Sequence, residues 1–298
     1  MNLSARSWAV LLSVFLCLAV SGCGSSDPPQ AQPFVVFAAA SLQDVVAELG
    51  TRFARDQGVE LVYNFAASNT LAQQIEAAPV ADVFLSANVR WVEFLERADR
   101  LVASSRRNFA SNRLVVISRH DAALALSHPR QLATAQFSFL ALADPDAVPA
   151  GRYARAFLQS VRVGERDLWQ LLRDRLAPTS DVRAALGLVE SDPAIIGIVY
   201  RTDAARSSRV KVWYEVPAQP RNPIVYCAAA VKGRPKAVLA ERFLDLLGSA
   251  QAQAVFAEHG FVTDPSLAFH PDSGQTEERK ETKPPLLGGK EEETRAEE

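Results

Sequence analysis

The chain has 298 residues, of which 48% are hydrophobic and 22% charged, and its formal net charge is −2. This composition is typical of a globular protein, and the length predicts about two domains. The weak negative charge argues against a protein that binds nucleic acid by neutralising phosphates, while 3 cysteines and 4 histidines are too few for a disulfide scaffold or a transition-metal centre.

The start of the chain predicts a secretion signal. An apolar run from Trp8 to Val20 follows a positive charge and is shorter than the ~20 residues of a membrane-spanning helix. The sequence Val20–Cys23 resembles the lipobox of bacterial lipoproteins, in which the cysteine is lipidated; an ordinary cleaved signal is the alternative. We therefore expect a signal peptide over 1–22, a flexible tether over 23–33 and a lipid anchor on Cys23 that holds the protein to a membrane.

Strand and helix patterns alternate from Phe34 to about His270. Short apolar runs predict strands at Phe34–Phe37, Leu61–Phe65, Val83–Leu85, Leu114–Ile117, Phe139–Leu142, Ala194–Tyr200, Val210–Tyr214 and Ile224–Val231. Apolar stripes at helical spacing predict helices at Leu42–Phe53, Leu71–Ala78, Val92–Ala98, Tyr153–Val161, Val182–Val189, Ala237–Leu247 and a last segment through Phe256. This alternation predicts an α/β protein with parallel-rich sheets and crossover helices.

The folded region is long enough for two α/β lobes. We expect the chain to build part of lobe 1 over residues 34–112, all of lobe 2 over 113–222, and to return to lobe 1 over 223–270. Residues 271–298 are rich in Glu and Lys and are expected to form a disordered charged tail. Cys227 lies in an apolar strand and is expected to be a small core residue.

Four predicted helices begin with small residues. These junctions are Ala38–Ser41, Ala66–Thr70, Val148–Gly151 and Thr179–Val182. Each offers unpaired backbone N–H groups at the positive end of a helix dipole, which favours an anion. Helix capping is the alternative at each junction: Ser41 and Asp44 have capping-box spacing, and the carboxylate of Asp181 would repel an anion and so fits a cap better.

Six stretches between about Phe34 and Thr263 match one family in order and spacing. They are Val36–Leu42, Phe65–Ala72, Ala81–Ala87, Val148–Ala154, Asp181–Glu190 and Gly197–Tyr200. Together they resemble the periplasmic molybdate-binding proteins of bacterial ABC importers. The resemblance implies a two-lobed, periplasmic-binding-protein-like (type II) fold with a hinge, and a monomer without cofactor or catalysis. It also implies that molybdate or tungstate is captured in the periplasm or at the outer face of a membrane and delivered to an ABC permease.

The resemblance also implies which residues hold the oxyanion. The residues at matching positions are Ser41 and Ser68, each with a hydroxyl and a backbone N–H, Ala150 and Val182 with backbone N–H groups, and Tyr200 with its phenol. Ala67 and Asn69 depart from the pattern, since many members have serine there. A pocket of hydrogen-bond donors suits a dianion that offers only acceptors, and the molybdenum keeps its own oxygens without direct side-chain ligands.

Other interpretations remain open at this point. A serine hydrolase would need a nucleophile elbow, and neither Ser41 nor Ser68 lies in a Gly-x-Ser-x-Gly motif. The histidines lie in no recognisable motif; they are His120, His128, His259 and His270. Another tetrahedral oxyanion such as sulfate, or a membrane-tethered sensor, would keep the same architecture. Arg152 is expected to face solvent, and Asp82 to be structural.

Overall fold

Two mixed β-sheets flanked by helices form the two lobes of the protein. A computed structural model describes residues 32–219 and 221–263, so the predicted signal peptide, Cys23, His270 and the charged tail lie outside the described residues. The lobe 1 sheet contains β1 (Phe34–Ala39), β2 (Leu61–Ala66), β3 (Val83–Ser86), β4 (Arg107–Ser111) and β12 (Val225–Ala230). The lobe 2 sheet contains β5 (Leu114–Arg119), β6 (Phe139–Ala143), β9 (Leu176–Thr179), β10 (Ile195–Tyr200) and β11 (Val210–Glu215). A separate hairpin is formed by β7 (Arg162–Val163) and β8 (Arg166–Asp167).

The strand order is β2-β1-β3-β12-β4 in lobe 1 and β11-β5-β10-β6-β9 in lobe 2. In each sheet, one group of three strands is parallel: β2-β1-β3 and β10-β6-β9. The remaining neighbours pair antiparallel, which includes the strand that returns to lobe 1. The expected two-lobed α/β architecture is therefore present, with parallel pairing concentrated on one side of each sheet.

The helices connect these strands. They are α1 (Gln43–Gln57), α2 (Ser68–Ala77), α3 (Val89–Arg97), α4 (Pro149–Ser160), α5 (Leu168–Leu172), α6 (Val182–Ser191), α7 (Arg201–Ala205), α8 (Ala237–Gly248) and α9 (Ala250–Glu258), with short 3-10 turns at Ala40–Leu42, Pro129–Ala133 and Arg173–Arg175. Within the described residues, no helix is both long and apolar enough to cross a membrane. Every predicted helix and strand is present, and β4, β7, β8, β9, α5 and α7 were not predicted.

Local sequence explains why the first strand and helix form and stop where they do. The apolar run of β1 is buried between clusters on both faces of the sheet. In α1, the predicted stripe, which includes Val45, Leu49 and Phe53, is buried against the sheet. Gly58 ends the helix with a φ of 62°, and its N–H donates to the Ala54 carbonyl. A residue with a side chain is strained in that left-handed conformation, so glycine favours this stop.

Each lobe has its own apolar core, and the chain crosses between them twice. Rings of Phe34, Phe53 and Phe243 pack with centroids 5.1–5.8 Å apart in lobe 1. The crossings lie between β4 and β5 and between β11 and β12, which gives the two lobes a double connection. Ala67 of lobe 1 packs into the core cluster of lobe 2, so the two lobes are in contact across the cleft.

Candidate functional site

A cavity of about 220 Å³, including its open mouth, lies between the two lobes. All five predicted site residues line it, and each is buried: Ser41, Ser68, Ala150, Val182 and Tyr200. The parallel strands explain this convergence. The carboxyl ends of β1 and β2 lie side by side, as do those of β6 and β9, because their registers pair Ala39 with Ala66 and Ala143 with Thr179. Both parallel groups therefore direct helix starts into one cleft, where open α/β sheets bind ligands.

Ser41 is oriented by residues that the sequence did not single out. Its Oγ lies 2.9 Å from the Tyr226 hydroxyl, and Asn112 Nδ2 donates to that same hydroxyl at 3.2 Å. Because the Tyr226 oxygen accepts from Asn112, its own hydrogen is available for Ser41 Oγ. When Tyr226 donates that hydrogen to Ser41, the O–H of Ser41 is free to donate into the cavity. The capping-box alternative for Ser41 and Asp44 is wrong, since the start of α1 has no side-chain cap.

Ser68 has the same donor arrangement through a different partner. Its Oγ accepts a hydrogen bond of 3.0 Å from the backbone N–H of Ala87, which follows β3 and also lines the cavity. With one lone pair occupied by this amide, the hydroxyl hydrogen is left for another acceptor. Ser68 is also the first residue of α2, so its backbone N–H has no partner within the helix.

The lobe 2 helices present backbone donors. Ala150 is the second residue of α4 and Val182 the first residue of α6. Asp181 caps α6 as predicted: its Oδ1 accepts from the N–H groups of Arg183 and Ala184, at 2.8 and 3.0 Å. The cap therefore leaves the Val182 N–H unused by the carboxylate. Gly151 lets α4 approach β6, because a Cβ there would lie 2.0 Å from the Ala143 carbonyl oxygen.

Tyr200 ends β10 and places a phenol in the cavity wall. The residue is 1% exposed, and its hydroxyl has no hydrogen-bond partner among the described residues. Burial raises the pKa of Tyr200 well above its usual value, and the charge of Asp203 adds to this effect. The phenol therefore remains protonated at neutral pH and is a donor without a protein acceptor. In the wall of a cavity, such a donor can serve a ligand that offers an acceptor.

Within the described residues, the charged and histidine side chains considered as alternatives do not line the cavity. Arg152 does not line the cavity; its Nη1 donates to the Asp146 carbonyl oxygen at 3.3 Å. Asp82 is structural as predicted, because it is buried, accepts from Val35 N and pairs with Arg234. His259 pairs with a glutamate rather than with a site serine, and neither His120 nor His128 lines the cavity. Cys227 is a buried free thiol, and burial raises its pKa to about 12.

Comparison with known proteins shows which family the chain resembles over most of its length. A family model described as bacterial extracellular solute-binding protein matches residues 34–262. The chain is 36% identical to the molybdate-binding protein ModA of Escherichia coli, covering 87% of this chain and 99% of that protein. It is also 36% identical to ModA of Haemophilus influenzae, covering 84% and 98%. The solved periplasmic molybdate-binding protein of Azotobacter vinelandii superposes with a TM-score of 0.68 at 22% identity, covering 78% of this chain and 99% of that one.

Proposed function

The chain belongs to the molybdate-binding proteins of the bacterial extracellular solute-binding family, and we propose that it captures molybdate outside the cytoplasm and delivers it to an ABC import permease. It is a binding protein and not an enzyme, so the serine-hydrolase alternative is set aside. Tungstate has the same charge and tetrahedral shape and should occupy the same site.

One observation carries the proposal: the cavity combines hydrogen-bond donors from both lobes. Ser68 supplies a hydroxyl whose oxygen accepts from the Ala87 N–H, and Ser41 supplies a hydroxyl that lies 2.9 Å from that of Tyr226. Tyr200 supplies a buried phenol without an acceptor. The backbone N–H groups at the starts of four helical segments complete a set of seven donors, which would hold the four oxygens of the anion.

These neutral donors are sufficient to bind a dianion. A hydrogen bond to a charged group contributes about 1.5–3 kcal/mol, so seven give roughly 10–20 kcal/mol before desolvation and lobe closure are subtracted. The helix dipoles add to this attraction. Asp181 is the carboxylate that lines the cavity, and two capping bonds to its Oδ1 hold it at the start of α6.

Binding should be coupled to closure of the cleft. Because donors come from residues 34–112 and from 113–222, the anion contacts both lobes only when they approach each other. It therefore shifts the population towards the closed form, which would dock on the permease. We further propose that the protein is a monomer, anchored by a lipid on Cys23 and extended from the membrane by residues 24–33.

Calorimetric titration with molybdate, tungstate, sulfate and phosphate tests the ligand. We expect tight binding of the first two and much weaker binding of the smaller sulfate. Ser68→Ala should weaken molybdate binding, whereas Ser191→Ala, on the far end of α6, should not. Equal affinity for all four anions would contradict the assignment, and so would undiminished binding by Ser68→Ala.

A further inference from the structure

An ionic contact joins the two lobes beside the cavity. Arg183 of lobe 2 donates from Nη2 to Oδ2 of Asp44 in lobe 1 at 2.6 Å. On its other side, Arg183 Nε lies 2.5 Å from Oδ1 of Asp203, which is fully buried in lobe 2. Arg206 adds a longer contact of 3.6 Å to the same Asp44 oxygen. One guanidinium therefore neutralises a carboxylate from each lobe.

The members of this bridge are tied to the candidate site by short stretches of chain. Asp44 follows Ser41 by three residues in α1, and Asp203 follows Tyr200 by three residues in α7. Arg183 directly follows Val182 at the start of α6. A movement that separates Asp44 from Arg183 therefore also separates cavity donors of the two lobes.

The two halves of the bridge have different effects. The Arg183–Asp203 contact lies within lobe 2, while the Arg183–Asp44 contact joins the two lobes and requires them to meet. Burial is the main cause of the raised pKa of the Tyr200 phenol, and Asp203, three residues further along the chain, makes a smaller contribution in the same direction. An uncompensated carboxylate there would repel a dianion, and Arg183 offsets that charge.

We propose that Arg183 is a positioning residue that latches the closed cleft: it compensates Asp203 and holds Asp44 across the lobe interface, thereby slowing release of the anion. The proposal rests on the proposed function for the identity of the ligand. It assigns Arg183 no contact with that ligand. A latch formed after the anion enters should act on the dissociation rate and leave the association rate nearly unchanged.

Asp44→Asn provides the direct test. Release of radiolabelled molybdate, chased with unlabelled molybdate, should be about two- to fivefold faster than in the wild type, as expected for a partly exposed ion pair. The association rate and the ligand-free Tm should stay the same. The matched control is Asp99→Asn, which removes an exposed carboxylate paired with Lys232 inside lobe 1 and should change neither rate.

A double variant shows whether the effect runs through Arg183. Asp44→Asn should accelerate release by a smaller factor in an Arg183→Met background, because only the longer contact with Arg206 is then left to lose. If Arg183→Met does not fold, the salt dependence of the release rate is measured instead. Raising NaCl from about 0.05 to 0.5 M should accelerate release from the wild type more than release from Asp44→Asn, because salt screens the ion pair. The latch is overturned if Asp44→Asn releases molybdate at the wild-type rate. It is also overturned if Asp44→Asn accelerates release by the same factor in the wild-type and Arg183→Met backgrounds, or if salt accelerates release equally in the wild type and in Asp44→Asn.

Different experimental results refute the latch and the proposed function. Wild-type protein that does not bind molybdate refutes the assigned ligand, and release is then measured with whichever anion of the calorimetric panel binds. Wild-type protein that binds molybdate, with Asp44→Asn releasing it at the wild-type rate, refutes the latch alone.

Discussion

Replacing Tyr226 with phenylalanine tests whether hydrogen-bond direction sets the site. The substitution removes one oxygen, which accepts from Asn112 and lies 2.9 Å from Ser41 Oγ. The ring is retained, and its packing against Phe261, with centroids 5.4 Å apart, keeps the local shape. Asn112 also keeps its hydrogen bond to Thr202 Oγ1 at 2.9 Å. The change therefore acts mainly on the Ser41 hydroxyl.

The structure sets the expected magnitude. Without the Tyr226 hydroxyl, Ser41 Oγ loses its protein donor, and its O–H is free to rotate away from the cavity. A net hydrogen bond between neutral groups contributes about 1 kcal/mol, which corresponds to about a fivefold rise in the Kd for molybdate. Ser41→Ala removes a donor to a charged ligand, which contributes about 1.5–3 kcal/mol, so its Kd should rise by more than about tenfold.

Calorimetry on the wild type, Tyr226→Phe, Ser41→Ala and the double variant completes the cycle. Tyr226→Phe should have almost no further effect once Ser41 has lost its hydroxyl, because both changes act on the same donor. Thermal melting of the ligand-free variants separates affinity from stability. The reasoning is refuted if Tyr226→Phe raises the Kd by the same factor in both backgrounds.

Three further substitutions test the supporting structure. Gly151→Ala would place a Cβ 2.0 Å from a backbone oxygen of β6 and should therefore displace the start of α4. We expect a lower Tm and weaker binding of molybdate in calorimetry. Gly187→Ala is the control, because a Cβ there meets open space and should change neither quantity. Burial raises the pKa of Asp203 to about 7 although Arg183 lowers it, so the carboxyl ionises at a higher pH in the folded chain than in the unfolded chain. In urea denaturation between about pH 4 and 8, the stability of the wild type should therefore fall relative to Asp203→Asn as pH rises. Asp82→Ala should destabilise the fold by about 3 kcal/mol in urea titrations, because it leaves Arg234 without its buried partner, but should leave the Kd for molybdate unchanged.

Sequence patterns predicted every central strand and one edge strand of each sheet, β2 and β11, but missed the other edge strand of each sheet. Central strands such as β1 are buried on both faces, so their residues form continuous apolar runs. The unpredicted β4 and β9 are edge strands, with the sequences RNFAS and LAPT. Edge strands accept polar residues and even Pro178, because one side of the strand needs no hydrogen-bond partner. An apolar-run criterion therefore does not detect them.

The residues lining the cavity could be proposed from sequence, but their supporting contacts could not. Small residues at helix starts mark candidate junctions, and the resemblance to the molybdate-binding family then implied Ser41, Ser68, Ala150, Val182 and Tyr200 as the site residues. Tyr226 lies in an apolar strand and resembles a core residue, and it reaches Ser41 across 185 positions of the chain. Asn112 lies in a crossing between the lobes, where no periodic pattern marks it. Contacts set by tertiary packing leave no trace in local spacing.

Around the cavity, the cationic side chain and the hydrogen-bond donors belong to different residues. Arg183 is adjacent in sequence to Val182, yet its guanidinium is committed to two carboxylates. The attraction on an anion therefore comes from peptide dipoles and hydroxyls, whose strength depends steeply on direction. Selectivity must then depend on how accurately the closed lobes place those donors. A contact that holds the lobes together, or one that fixes the rotation of the Ser41 hydroxyl, affects binding without touching the ligand.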